Sequence, residues 1–216
     1  MIVIPRLYGL DGNVPPTIAH LFRINPANGA TTDLGSTGQT ATGATPIGAG
    51  VLFAANEFGS PSPLTFYRIS PPSPVATTIG VAGFIPDGLL AFNGAGDVFA
   101  SGRSTPSGSG PDNLYRVDPA TGASTLIGSI GFSQVFTGAF ANGILYAFPF
   151  TGPQVIEINT STGAGTIVSN YSLPHGDLIE AAAAAVPEPG SLVLLGLGLT
   201  GLCGYAWRRT WAQAVA

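Results

Sequence analysis

Two short motifs recur along this chain at one period, and that double recurrence limits the fold more than any other feature. The first appears as HLFRINPANGATTDLGS from His20, TFYRISPPSPVATTIGV from Thr65, NLYRVDPATGASTLIGS from Asn113 and QVIEINTSTGAGTIVSN from Gln154. Its fourth positions are Arg23, Arg68, Arg116 and Glu157, at steps of 45, 48 and 41 residues. A second motif lies upstream of each copy: LYG at Leu7, LFA at Leu52, VFA at Val98 and LYA at Leu145, at steps of 45, 46 and 47. Internal similarity at such a period marks a repeat architecture.

Each unit reads as β. Its apolar runs are short, rich in Leu, Ile, Val, Phe and Tyr, and bounded by Gly, Pro, Asn or Asp. Ahead of the C-terminal segment no window carries a long apolar stripe at helical spacing. Within YRVDPATGASTLIG, Asp118 can bond back to the turn backbone, Pro119 presets φ and Gly122 accepts a positive φ, which predicts a hairpin. Asn25-Pro26…Gly29 repeats this chemistry and Asn159…Gly163 keeps it without the proline, while SPPSPVA in the second unit departs from it. A further strand precedes the LYA-type strand, visible as Gly88–Phe92 and Thr137–Phe140. Four strands in about 45 residues predict a blade of a β-propeller. The expected fold is therefore all-β and propeller-like over residues 1–180, with four blades of four antiparallel strands. A larger propeller with further blades upstream is the rival. The first strand of the first blade would come from MIVIP or, by ring closure, from GDLIEAAAAA after Gly176. Ser101–Asn113 reads as the largest insertion, an exposed surface loop.

Composition fits a folded domain. Only 8% of residues are charged and 45% are hydrophobic, so the 31 glycines and 19 prolines punctuate a core instead of replacing one. Every basic residue is Arg, the net charge is -4, and no basic run precedes the last residues, which argues against nucleic-acid binding. The single cysteine, Cys203, leaves the repeats without an internal disulfide or a Cys-based metal site.

The end of the chain is different in kind. An Ala-rich linker, 181–186, leads to Pro187-Glu188-Pro189. Seventeen uncharged residues, Ser191 to Trp207, follow, then Arg208-Arg209 and a short tail, 210–216. As a helix, 191–207 would extend about 26 Å at about 1.5 Å per residue, enough to cross a bilayer. Arg208 and Arg209 would then lie on the cytoplasmic side. This three-part arrangement resembles the PEP-CTERM sorting tail of Gram-negative bacteria, whose profile also labels the C-terminal domain of ice-binding proteins. The resemblance implies a membrane anchor, processing near the Pro-Glu-Pro by an exosortase-type peptidase, and a place at the cell surface or in an extracellular, exopolysaccharide-rich biofilm matrix. The TWAQAVA that follows the arginines departs from the usual end of such tails. MIVIPRLYGL lacks the basic start and apolar run of a secretory signal, so an earlier start codon is expected. The repeats resemble those of exported bacterial proteins whose units read like LYRIDPATGATTLIG, a structural resemblance without an activity. The regular Thr-x-Thr ladder of a flat ice-binding face is missing.

Candidate chemistry is sparse. His20 and His175 sit on dissimilar motifs, and His175 with Asp177 and a serine forms no supported nucleophile elbow. The expectation is a non-enzymatic protein. Asp11–Asn13 and Asp87–Gly88 can offer oxygen ligands to Ca²⁺, although turn chemistry accounts for both, and no cofactor is called for. Arg23, Arg68 and Arg116 recur at one strand position. They read either as a cationic ring for an acidic polysaccharide or as an inherited, solvated or salt-bridged position. The leading role is structural or adhesive, with a specific glycan- or protein-binding module as the alternative and a hydrolase or lyase behind it.

Overall fold

The alternation of apolar runs with Gly-, Pro- and Asn-rich turns resolves into fifteen strands among the described residues. The computed structural model describes residues 7–10, 18–25, 28, 30–41, 43–48, 51–56, 64–104 and 110–173. Two compact units divide the chain, 1–184 and 185–216, and all of the second lies outside the described residues.

The strands form four antiparallel sheets in chain order. Sheet 1 contains β1 (Leu7–Leu10), β2 (His20–Ile24) and β3 (Thr31–Ser36). Sheet 2 contains β4 (Gly43–Pro46), β5 (Leu52–Ala55), β6 (Thr65–Ile69) and β7 (Ala76–Val81). Sheet 3 contains β8 (Ile85–Phe92), β9 (Val98–Arg103), β10 (Asn113–Val117) and β11 (Ser124–Ser129). Sheet 4 contains β12 (Val135–Ala141), β13 (Ile144–Pro149), β14 (Gln154–Ile158) and β15 (Gly165–Asn170). Each is a simple meander, which short turns permit, and the succession of such sheets is propeller-like. Sheets 2, 3 and 4 have the expected four strands. Sheet 1 shows three among the described residues. Both segments expected to supply its first strand, MIVIP and the run after Gly176, lie outside them, as do residues 191–207, over which a helix is expected. No helix of the described residues is long and apolar enough to cross a membrane.

The hairpins form as their residues dictate. In the β10–β11 turn, Ala120 N–H donates to Asp118 Oδ1 at 2.8 Å and the Thr121 hydroxyl to Oδ2 at 2.9 Å, with Gly122 at φ +73°. Those bonds, the first the stronger, hold the Asp118 carboxyl below its ordinary range. Asn159 accepts likewise from Ser161 and Thr162 N–H at 2.9 and 3.1 Å. The Ser70–Val75 turn is built differently, with a cis Pro71–Pro72 bond.

Each outer hairpin carries one extra residue at the same place. The register slips opposite Leu21/Phe22, Phe66/Tyr67, Leu114/Tyr115 and Val155/Ile156, which leaves Leu34, Ile79, Ile127 and Val168 unpaired. A bulge of this kind re-aims a side chain. Leu34 packs against the buried group of Leu21, Ala54, Tyr67 and Ile69, which joins sheets 1 and 2. Ile79 packs on the Phe53–Phe66–Tyr115–Val117 group of sheets 2 and 3. Ile127 packs on the Leu114–Leu145–Ile156–Ile158 group of sheets 3 and 4. The core is therefore a series of layers between successive sheets, and alternate strand residues serve opposite layers.

Candidate functional site

Two buried carboxylates, Asp87 and Asp112, stand out beside a half-buried Arg103. Asp87 lies in β8, Arg103 at the end of β9, and Asp112 one residue before β10. Asp87 is 8% exposed and Asp112 1%. Arg103 Nη2 donates to Asp87 Oδ1 at 2.7 Å. Asp112 Oδ2 accepts from the Val135 N–H at 2.7 Å. The Ser101 hydroxyl, fully buried, donates to the Val135 carbonyl at 2.6 Å and accepts from Leu89 N–H at 3.3 Å. Two side chains of sheet 3 thus grip both backbone groups of the first residue of β12. The group lies on the seam between sheets 3 and 4.

Its electrostatics are unbalanced if both acids ionise, because one guanidinium faces two carboxylates. Burial, the negative charge of Asp87 and a hydrogen bond to it push the Asp112 carboxyl up to about 7, against the opposing pull of the Val135 N–H and Arg103. Asp112 Oδ1 has no donor among the described residues. A proton on Asp112 would cancel the excess charge and leave a single ion pair between Arg103 and Asp87. Chemically the cluster can hold a proton near neutrality and fix β12. With Arg103 Nη2 on Asp87, the cation position beside that carboxylate is already taken, so a Ca²⁺ at Asp87–Gly88 would have to compete with the guanidinium.

From sequence, Ser101, Arg103 and Asp112 are expected in the exposed loop Ser101–Asn113. The structure corrects this: Ser101 pairs with Leu114 and Gly102 with Asn113, which carries β9 through Arg103. One signal was available. The residue preceding the third-strand motif is Ala19, Leu64 and Pro153 in the other units and Asp112 in the third. All four carbonyls accept the same backbone bond, from Thr37, Ala82, Tyr171 and Ile130 N–H respectively. An acid at a position otherwise apolar is not inherited from the repeat.

The recurring arginines occupy one register. Arg23, Arg68, Arg116 and Glu157 pair with Thr32, Thr77, Thr125 and Thr166 of the outer strands. Arg68 Nη2 donates to the Pro119 carbonyl of the next hairpin at 2.7 Å, so it pins sheet 2 to sheet 3. Arg23 and Arg116 are exposed. His20 Nδ1 lies 2.9 Å from Asp33 Oδ2 across the β2–β3 pair, an exposed contact that holds the Asp33 carboxyl below its ordinary range. His175, Asp177 and Asp11–Asn13 lie outside the described residues, as do Pro187, Glu188, Pro189, Arg208 and Arg209.

Residues 185–209 match the model of the PEP-CTERM protein-sorting motif. The chain carries a PEP-CTERM sorting signal. The motif spans Pro187-Glu188-Pro189, the apolar run and both arginines, and it implies an exported protein recognised by exosortase and sorted to the cell envelope or surface. Among solved structures, the chain superposes on a chain of a nidogen/laminin complex with a TM-score of 0.55 at 11% identity. That match covers 77% of this chain and 60% of the other. A second is TolB from Acinetobacter baumannii, with a TM-score of 0.51 at 10% identity, covering 71% of this chain and 38% of the other. The chain thus spans less than two thirds of either, and at these identities the likeness concerns the fold alone. No curated protein matches the sequence.

Proposed function

We propose that the protein works at the cell surface or in the extracellular matrix, where its propeller-like repeats have a non-enzymatic, structural or adhesive role. The observation that carries this reading is the sorting motif at 185–209. In this account an exosortase-type peptidase acts near Pro187-Glu188-Pro189, 191–207 holds the protein in the membrane until then, and exposed Arg23 and Arg116 offer weak contacts to an acidic exopolysaccharide. Use of the repeats as a specific glycan- or protein-binding module is the second reading, favoured by the propeller-like architecture.

The test is the intact mass of the native protein from its own host, in membrane and released fractions. The expected outcome is a released species that ends near Pro189, and its loss, with full-length protein retained in the membrane, for Glu188→Ala. Native protein that carries residues 190–216 in every fraction would overturn the surface-matrix role.

A further inference from the structure

Each junction between successive sheets is made in the same way, and among the described residues the first and last sheets each carry one half of such a junction. In sheets 1, 2 and 3 the third-strand residues Leu21, Phe66 and Leu114 are fully buried. Each belongs to the layer its sheet shares with the next. Val155 is the equivalent residue in sheet 4, and it is partly exposed. The bulge residues Leu34, Ile79 and Ile127 are partly buried against the next sheet, while Val168, the fourth, is 48% exposed.

The opposite end is complementary. Tyr67 and Ile69, Tyr115 and Val117, and Ile156 and Ile158 are the residues that sheets 2, 3 and 4 present to the sheet before them, and all are 7% exposed or less. Phe22 and Ile24 occupy the same register in sheet 1 and are only partly buried. Buried layers join sheets 1–2, 2–3 and 3–4, and among the described residues none joins sheet 4 to sheet 1.

We propose that the Val155/Val168 face of sheet 4 docks the Phe22/Ile24 face of sheet 1 of a second copy of this chain, head to tail. Both halves of a junction already made three times in the fold are present on one molecule, so a second copy supplies a partner of matching shape and polarity. Such a contact is heterologous and builds rings or open chains. Ser169 stands where Gly80 and Gly128 let the next hairpin come into close contact. The intermolecular junction must therefore be the wider kind seen at Gly35, where a Cβ would lie 3.4 Å from Pro74.

The experiment uses the full chain in detergent, with Cys203→Ser to remove the only native thiol. Sedimentation should show dimers or larger species that Val168→Glu weakens at least tenfold, with an unchanged circular-dichroism spectrum since Val168 is exposed. Phe22→Cys and Val168→Cys proteins, mixed and oxidised, should give a cross-linked dimer. A chain that stays monomeric at all concentrations, or association indifferent to Val168→Glu, would overturn the proposal. So would a double variant that links within one chain, which would mean that the ring closes on itself. None of these readouts depends on the sorting tail being processed.

Discussion

At the scale of single residues, identical repeat positions have diverged in task. Arg68 is tied to Pro119 while Arg23 and Arg116 face solvent. Arg68→Ala should therefore cost about 1–2 kcal/mol, for loss of a charge-assisted bond and its buried stem. Arg23→Ala and Arg116→Ala should stay within about 0.5 kcal/mol. Urea unfolding of the three variants checks this, and equal losses would contradict the pinning role. Asp112 gives a pH signature. Its folded pKa, about 7, lies above the ordinary 3.8, so folding takes up a proton between those values. Stability is then greatest at the acid end of that window and falls as pH rises to about 7, by a few kcal/mol at most. Asp112→Asn can still accept from Val135 N–H and can donate to Asp87, without ionising. The variant should match the native protein near pH 4 and exceed it at pH 8 in thermal unfolding. Parallel pH profiles would show that Asp112 is ionised throughout.

At the scale of elements, the bulge and the glycine after it decide how closely the sheets stack. Gly80 and Gly128 follow the bulges of β7 and β11, and a Cβ on either would collide with the carbonyl of Thr121 or Thr162 in the next hairpin. Gly80→Ala and Gly128→Ala should each destabilise by about 1–3 kcal/mol through overpacking. Gly110→Ala, with nothing within 4 Å, should be close to neutral, and thermal melts would separate the cases. The strands and hairpins themselves were legible in the sequence because turn chemistry is local: Asp118 and Asn159 form the bonds their side chains dictate wherever the chain places them. The bulge was not legible. TTIGV, TLIGS and TIVSN look like plain alternation, and only the pairing partner reveals the extra residue.

At the scale of the whole molecule, the sheets make their layers pairwise, and a propeller-like succession of four follows from the repeat. Charge economy follows as well. With 8% charged residues, the repeats have little to hold them together except apolar layers and backbone pairing. The cluster of Asp87, Asp112 and half-buried Arg103 sits on the sheet 3–sheet 4 seam, in the unit whose connecting segment gives the longest period. The sorting tail belongs to another order of organisation, since its motif is confined to residues 185–209, apart from the repeats.

The sequence by itself determined the all-β repeat, the hairpin turns and the sorting motif, because each depends on residues close together in the chain. It could not decide what Arg103 and Asp112 do. Their spacing, in a Gly-, Ser- and Pro-rich stretch, is that of an exposed loop, whereas the tertiary structure half-buries Arg103 against Asp87 of β8 and buries Asp112 against Val135 of β12. Nor could it distinguish Arg68 from Arg23 and Arg116, which share one motif and differ only in the hairpin that the next sheet brings. Long-range contacts fix those assignments, and in a repeat protein such contacts change from one copy to the next while the local pattern stays the same.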